Sequence, residues 1–290
     1  MKWRVVGILL LIGTLARRVH AQVAHQLPNP VFAYELGDIT PQRQAELIAE
    51  AGFQGTVFDG AKRVEERLKA LDERHLQLFF LWLTVDVGNG QIVYEPEMDA
   101  SIRQLKGRST VVWLAVKGGG AGAEQRSIQA VRHVSDLAAE SNLRVALYPH
   151  YGFYLARLKD VLRVSEQAQR SNLGVTFNLC HELRSGIDSD VKDLLQRALP
   201  RLYGITINGA DREGHDWNTL IQPLDRGNFD TAGLVTAAFE AGYRGPIGIQ
   251  CYGIKQDPRS LLAESMAAWR KISGQTASRS TPPAAPPPDR

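Results

Sequence analysis

The sequence feature that most constrains the fold is a regular alternation of short apolar runs with amphipathic segments. Each run is apolar along most of its length, which is typical of parallel strands that are covered on both faces. Eight such runs predict β-strands, at residues 30–35, 53–60, 76–87, 110–118, 144–150, 173–181, 202–210 and 245–253. Four intervening segments predict helices, at residues 40–52, 124–141, 230–242 and 260–272.

The first of these helices carries both start and stop signals. Thr40 is a typical N-cap residue, Pro41 fits the first helical position, and Gly52 fits the position where a helix ends. The longest helical segment repeats apolar residues at intervals of three and four, as Ile128 and Val131 illustrate. These patterns predict helices that pack one apolar face against a sheet.

The strand-and-helix alternation predicts a single-domain (β/α)8 TIM barrel of the α/β class. Eight such units in about 250 residues are the number that this barrel requires. A doubly wound parallel sheet is the alternative, but that fold more often has a G-x-G-x-x-G turn after its first strand. The corresponding stretch here is "YELGDITP", which lacks the motif. The barrel is therefore the favoured interpretation.

Both ends of the chain differ in composition from the predicted barrel. Residues 1–21 combine a basic start, a short apolar core and a small-x-small pattern "VHA" before Gln22, which predicts a secretory signal and an exported, periplasmic or extracellular protein. A retained membrane anchor is the alternative. Residues 274–290 are rich in Pro, Ala and Ser and predict a disordered tail. The barrel is expected to occupy residues 22–273.

Charge and cysteine content narrow the classes of partner. The first 21 residues hold four basic side chains and no acid, so the formal charge of +3 becomes −1 without them. This balance disfavours a nucleic-acid partner, because such partners select basic surfaces. Two cysteines remain, Cys180 and Cys251, and we expect buried free thiols in preference to a disulfide.

Polar residues are concentrated where the predicted strands end. In a TIM barrel these ends form the bowl that carries the chemistry, and many hydrogen-bonding groups in one bowl suit a small carbohydrate. The strand-end residues are Glu35, Asp59, Asp86, Lys117, Tyr148, His150, Asn178, His181, Asn208, Gln250 and Tyr252.

We assign two roles to this set. The predicted catalytic residues are His150, His181, Glu35 and Lys117. The predicted substrate-binding residues are Tyr148, Asn178, Asn208, Gln250 and Asp59. The two histidines could transfer protons, or they could form a relocated metal site with Glu35, Asp59 or Asp86. Purely structural roles remain the alternative for each residue.

Several other segments have both a functional and a structural interpretation. The glycine-rich "GGGAG" lacks the phosphate-binding pattern of a P-loop and is interpreted as a flexible loop. The segment "NGADREGHDW" could cover a substrate through Asp211, Arg212 and His215. Among the tryptophans, Trp217 could stack on a sugar, whereas Trp82 and Trp113 lie within strands and are expected in the core.

Three segments resemble the xylose-isomerase-like TIM barrels, a group of sugar isomerases and epimerases. They are "AGFQGTVF", "LGVTFNLCH" and "GYRGPIGIQCY", and the resemblance extends over most of residues 30–270. It implies a divalent metal such as Mn, Zn or Fe, held by a carboxylate from strand five, Asp from strand six, His from strand seven and Glu from strand eight. It also implies that the two Glu residues transfer protons beside a carbonyl.

This chain departs from the family at each of those ligand positions. They are Tyr148, Asn178, Thr206 (or Asn208 with a shifted register) and Gln250, whereas His181 retains the second half of the strand-six motif. Neutral oxygen ligands suit a dication poorly, and Gln cannot act as a general base. The resemblance therefore implies the family's fold with an atypical or absent metal site.

Two functions remain open at this point. The first is an exported isomerase, epimerase or related lyase that transfers a proton next to a carbonyl. The second is a non-catalytic sugar-binding protein on a degenerate isomerase scaffold. A nuclease is disfavoured, because the sequence offers too few His and carboxylate ligands and no basic surface.

Overall fold

The computed structural model describes residues 29–186 and 191–279. Eight parallel strands confirm the predicted single-domain (β/α)8 barrel. They are β1 (Val31–Tyr34), β2 (Gly55–Asp59), β3 (Gln77–Asp86), β4 (Val111–Lys117), β5 (Arg144–Leu147), β6 (Leu173–Asn178), β7 (Leu202–Ile207) and β8 (Ile247–Gln250). A two-residue strand, Val93–Tyr94, adds an antiparallel pair to the end of β3.

The ring order follows the chain order, with β1 beside β8 and the remaining strands in sequence back to β2. Side chains close the last seam between β1 and β2. Thr56 Oγ1 donates to Ala33 O at 2.7 Å, and Val31 N donates to Gln54 Oε1 at 2.6 Å. At this seam the two hydrogen bonds take the place of a regular strand ladder, so the barrel is nearly, but not fully, closed by backbone pairing.

Helices surround the ring. They are α1 (Pro41–Ala51), α2 (Val64–Asp72), α3 (Met98–Gln104), α4 (Ala123–Glu140), α5 (Leu158–Ala168), α6 (Leu179–Arg184), α7 (Val191–Ala198), α8 (Trp217–Leu220), α9 (Thr231–Glu240) and α10 (Pro258–Arg279), with a 3₁₀ turn at Leu199–Arg201. The Thr40 hydroxyl accepts from Arg43 N and Gly52 takes φ 83°, so both predicted caps of α1 are confirmed.

Aromatic side chains fill the inside of the barrel and form the floor beneath its mouth. Phe80 stacks on Trp113 with ring centroids 4.1 Å apart, and Phe32 stacks on Phe79 at 5.1 Å. Tyr148 packs above Trp113 at 4.7 Å. Because such a floor excludes water, a polar group placed directly on it loses solvation and needs a partner.

Two predicted strands end earlier than the sequence suggested. The run 144–150 is a strand only to Leu147, and the run 173–181 is a strand only to Asn178. The residues after Asn178 instead begin α6, because the Asn178 side chain caps that helix by accepting from His181 N at 3.2 Å. His181 therefore lies in the first turn of a helix.

Three further predictions concern the two ends of the chain and its cysteines. The predicted signal lies outside the described residues. Helix α10 continues to Arg279, past the predicted boundary at residue 273, because a formed helix extends at little cost per added residue. Cys180 and Cys251 are buried free thiols, as expected. Within residues 29–186 and 191–279, no helix has the length and apolar character needed to cross a membrane.

Candidate functional site

A cavity of about 560 Å³ opens at the carboxyl ends of the strands, where the sequence predicted the site. Six of the predicted site residues line it: Glu35, Asp59, Tyr148, His150, His181 and Gln250. The lining also includes Tyr34, Val57, Arg67, Trp82, Trp113, Trp217 and Tyr252. Polar groups and aromatic faces therefore share one bowl.

One side of the bowl, formed by β1 and β2, carries the carboxylates. Glu35 directly follows β1 and has φ 63°, a backbone conformation that costs a non-glycine residue about 1–2 kcal/mol. Burial and the nearby Asp59 carboxylate raise the pKa of Glu35 to about 7. Glu35 is thus held in a strained, partly dehydrated position where it exchanges a proton near neutral pH.

Asp59 lies at the end of β2 beside Arg67, a half-buried arginine. Partial desolvation raises the pKa of Asp59, and the Arg67 guanidinium opposes that rise. Arg67 donates to Asp59 O at 3.1 Å and to two further main-chain carbonyls, and it lies 3.9 Å from the centroid of the Phe58 ring. Arg67 therefore fixes the loop after β2 and leaves the Asp59 carboxylate directed at the bowl.

The opposite side of the bowl carries two histidines in contact. The rings of His150 and His181 have centroids 4.0 Å apart, and His150 also stacks on Phe153 at 4.0 Å. Burial lowers the pKa of both imidazoles, and each has a cation or another imidazole beside it, Lys117 for His150 and His150 for His181. Both rings are therefore neutral at pH 7.

The tautomer of His150 and one nitrogen of His181 follow from their contacts. His150 Nδ1 lies 2.8 Å from Tyr151 O, and because a carbonyl only accepts, Nδ1 of the neutral ring carries the hydrogen and Nε2 the lone pair. His181 Nδ1 is buried without a hydrogen-bond partner among the described residues. Such an unsatisfied atom next to a cavity is available to a bound ligand.

A cluster of neutral polar side chains lies behind the histidines. Asn178 Nδ2 is 2.5 Å from Tyr148 Oη and 3.5 Å from Tyr34 Oη. Burial raises the pKa of both phenols far above the usual value. Gln250 Oε1 accepts from Tyr252 N at 3.2 Å. This side of the bowl therefore offers hydrogen bonds without charge.

Three predicted site residues lie outside the cavity lining. Asn178 sits behind Tyr148, as part of the neutral cluster. The Lys117 ammonium lies 6.0 Å from the centroid of the Trp82 ring and 5.3 Å from that of Phe153, beside the bowl. Asn208 Nδ2 instead donates to Gly209 O and Leu220 O, which holds a loop in place.

The remaining candidates have local roles. Asp86 Oδ1 accepts from Gly88 N at 2.7 Å. A side chain at Gly118 would collide with Gly88, so this glycine of "GGGAG" is required by close backbone approach. Arg212 N donates to Asn228 Oδ1, away from the cavity lining. Trp82 and Trp217 both line the bowl, whereas Trp113 is fully buried and reaches the bowl only as its floor.

Sequence reasoning missed Tyr34 and Arg67. Tyr34 belongs to the apolar run "PVFAYE", where an aromatic residue is typical of the core. Its position directly before Glu35 at a strand end was the available signal. Arg67 lies one turn into α2, and no local pattern distinguishes it from a surface arginine.

Two of the residues at the family's metal-ligand positions, Tyr148 and Asn178, are arranged as hydrogen-bond partners of each other, which does not fit ligation of a divalent cation. Asn178 presents its NH₂ group to Tyr148, and the raised pKa of Tyr148 keeps that phenol protonated, so both present hydrogens where a cation needs lone pairs. Within the described parts of the chain, no three His, Cys, Asp or Glu side chains lie close enough together to hold an ion. A relocated metal at His150 and His181 stays a prediction.

Known proteins with a similar sequence or fold identify the family of this barrel. The family model described as xylose isomerase-like TIM barrel matches residues 45–272. No curated protein matches the chain significantly. The crystal structure of 3-keto-D-glucoside 4-epimerase from E. coli is 16% identical, with a TM-score of 0.68, over 84% of this chain and 99% of that one.

Two further structures show the same fold. L-ribulose 3-epimerase is 15% identical, with a TM-score of 0.67, and covers 88% of this chain and 99% of its own. A probable 3-DHS dehydratase from Bacillus anthracis is 15% identical, with a TM-score of 0.64, over 82% of this chain and 97% of its own. With a barrel of this topology and a family match over most of its length, the chain belongs to the xylose isomerase-like TIM barrel family.

Proposed function

We propose that this protein is a sugar isomerase/epimerase-like enzyme that transfers a proton at a carbon next to a carbonyl. The observation that carries the proposal is Glu35, a strained carboxylate whose pKa is raised to about 7 inside the cavity. A general base works best when its pKa lies near the operating pH. Strained backbone and a perturbed pKa at one cavity residue together favour a catalytic role.

The ring topology gives the proton transfer two sides. Glu35 follows β1 and His150 follows β5, and these strands lie opposite each other in a ring of eight. In the proposed reaction, ionised Glu35 removes the carbon-bound proton from one face of the substrate. On the other side, an imidazole of the His150 and His181 pair takes up a proton from solvent and delivers it to the carbon, and Glu35 then releases its proton to solvent. Removal on one face with return on the other is epimerisation.

A carbohydrate fits the remaining lining. Gln250, Tyr148 and Asp59 offer hydrogen bonds to hydroxyl groups, while Trp82 and Trp217 offer faces for the C–H side of a sugar ring. Likeness in fold to two sugar epimerases supports this substrate class. Likeness to a dehydratase is consistent with the related lyase, in which the same base removes a proton before a leaving group departs.

A non-catalytic sugar-binding protein is the second candidate. The observation in its favour is that the family's ligand positions hold Tyr148 and Asn178, which hydrogen-bond to each other. This arrangement keeps polar contacts at the bowl without the family's charge. It does not explain why a carboxylate with a pKa of about 7 is held in a strained conformation at the same bowl.

Export to the periplasm or the extracellular space is a separate proposal. It is supported by the sequence of residues 1–21, which lie outside the described residues. Expression of the full chain with N-terminal sequencing of the exported product tests it. A mature protein that begins at Gln22 is expected, and a product that retains Met1 in the membrane fraction would show an anchor instead.

Solvent exchange separates the two functions. The wild-type protein is incubated in D₂O with aldoses, ketoses and keto-glycosides, and deuterium uptake beside the carbonyl is followed by NMR. We expect uptake that Glu35→Gln lowers by about 100-fold or more, whereas the exposed control Glu73→Gln keeps the wild-type rate. Saturable sugar binding with no exchange in any substrate of the panel would establish the binding protein instead.

A further inference from the structure

The orientation of the Asn178 amide is fixed by its neighbours. Asn178 Oδ1 accepts from His181 N at 3.2 Å and from Cys180 Sγ at 3.1 Å. A backbone N–H only donates, so the atom that faces it is the oxygen. The NH₂ group therefore points to the other side, where the two phenols of Tyr148 and Tyr34 lie.

This orientation determines the direction of the hydrogen bonds to the phenols. The Asn178 NH₂ group only donates, so Tyr148 Oη acts as its acceptor and keeps its own hydrogen for another partner. Tyr34 Oη lies 3.5 Å from the same NH₂ group and is a second acceptor. Each phenol therefore accepts from Asn178 with its oxygen and does not use its own hydrogen there.

The hydrogen of the Tyr34 phenol is not used in this cluster. Tyr34 Oη accepts from Asn178, no hydrogen bond that it donates is present among the described residues, and the side chain lines the cavity directly beside Glu35. A buried donor without a partner is stabilised when a ligand supplies an acceptor.

We propose that Tyr34 donates a hydrogen bond to the carbonyl oxygen of the substrate and stabilises the negative charge that develops there. This inference rests on the proposed function. As the C–H bond breaks, its proton passes to the Glu35 carboxylate and its electron pair forms a carbon–carbon double bond. The carbonyl π electrons move to the oxygen that Tyr34 contacts. Return of a proton to carbon reverses the shift, so no electrons are gained or lost.

The cluster thus acts with hydrogens where the family's arrangement acts with a cation. Preformed donors aimed at a developing oxyanion lower the barrier strongly in a site that excludes water. The hydrogen bond from Asn178 also polarises the Tyr34 hydroxyl and so strengthens the bond that this hydroxyl donates. Asn178 is a positioning residue, and Tyr34 is the residue that touches the substrate.

Infrared spectroscopy of a bound ketone tests the contact. The probe is L-erythrulose with carbon-13 at its carbonyl, a ketose too short to form a pyranose ring. On binding to the wild-type protein, the carbonyl band is expected to move to lower wavenumber. Tyr34→Phe is expected to abolish that movement and to slow deuterium exchange by about 100-fold. Tyr203→Phe, which changes a phenol outside the cavity, is the matched control.

Asn178→Asp tests the direction of the two hydrogen bonds from Asn178 to the phenols. A carboxylate only accepts, so both phenols would turn their hydrogens towards it and away from the substrate. We therefore expect the band movement to be lost although both tyrosines are present. Affinity for erythritol, which has no carbonyl, should stay within a few-fold of wild type in both variants. Thermal melting of each variant confirms that it is folded.

The outcomes separate this inference from the proposed function. Exchange in the wild type with unchanged rate and unchanged band in Tyr34→Phe would overturn the role of Tyr34 and leave the enzyme. A band movement that depends on Tyr34, without exchange, would support the contact and overturn the enzyme. One equivalent of bound Mn²⁺ in the wild type, lost in Asn178→Ala, would show that this cluster presents acceptors and would overturn the proposed arrangement of donors.

Discussion

The two sides of the barrel mouth differ in how they treat charge. The β1–β2 side holds Glu35 and Asp59, and the pKa of each carboxyl is raised, mainly by burial. The β5–β8 side holds Tyr148, Asn178 and Gln250, which are neutral and hydrogen-bonded. In the family's arrangement, the resemblance places the acids on the second side. In a barrel of this fold, the carboxylates that can transfer a proton can therefore lie on the β1–β2 side of the bowl, across from the positions that the resemblance implies.

The first test of this comparison is a substitution in the His150 and His181 pair. Because His181 Nδ1 is buried without a partner in the described structure, His181→Ala is expected to lower turnover by about 100- to 10,000-fold. Steady-state kinetics with the substrate identified by exchange measure this. His133→Ala, on α4 beside Tyr94, is the control and should be neutral. Equal turnover in His181→Ala and wild type would limit the chemistry to the Glu35 side.

The pH dependence of the rate is the second test. Glu35 must be ionised to act as a base, and its pKa is raised to about 7. We expect kcat/KM to rise about tenfold per pH unit up to pH 7, or about 100-fold from pH 5, and then to level off. The lowered pKa of both histidines keeps them neutral near pH 7. A profile that is flat from pH 5 to 7 would exclude Glu35 as the base.

The raised pKa of Glu35 also predicts that the stability of the fold falls as pH rises, whereas the rate of the reaction rises. Its pKa rises from 4.5 in the unfolded chain to about 7 in the folded one, so the folded state binds more protons between these values and loses stability as pH rises. Glu35→Gln removes this loss. Denaturant unfolding should show little gain at pH 4 and up to about 3 kcal/mol at pH 8. A gain in Glu35→Gln that does not change with pH would contradict the shift.

The smallest expected effect on the reaction is that of Asn208→Ala, which contrasts with Gln250→Ala. Asn208 Nδ2 donates to Gly209 O and Leu220 O, outside the cavity lining. Asn208→Ala should therefore lower the free energy of unfolding by about 1–3 kcal/mol and leave KM unchanged. Gln250→Ala, which changes a residue in the lining, should raise KM with little loss of stability. A raised KM in a fully folded Asn208→Ala would return Asn208 to the site.

The fold could be predicted from the sequence because its signals are local. Buried parallel strands give continuous apolar runs, and Thr40, Pro41 and Gly52 mark the first helix without reference to the rest of the chain. The strand boundary at Asn178 was missed, since whether Asn extends a strand or caps a helix depends on the bond that His181 N makes.

The site could be predicted only in part, because its properties arise from long-range contacts. Because the carboxyl ends of the strands in a TIM barrel form one bowl, the sequence predicted that Glu35, Asp59 and the two histidines share it, and all four line the cavity. It could not distinguish Asn208, whose partners lie on a loop, from Gln250, which faces the cavity. The raised pKa of Glu35 and the orientation of the Asn178 amide depend on neighbours that are far apart in sequence.

The central claim is that side chains of this protein, and not a metal at the family's positions, move the proton. The most direct test measures deuterium exchange before and after metal is removed by a chelator, with metal content determined by plasma mass spectrometry. We expect exchange to persist at the wild-type rate with less than about a tenth of an equivalent of metal, and to be lost in Glu35→Gln. Exchange that stops with the chelator and returns with Mn²⁺ would contradict the claim.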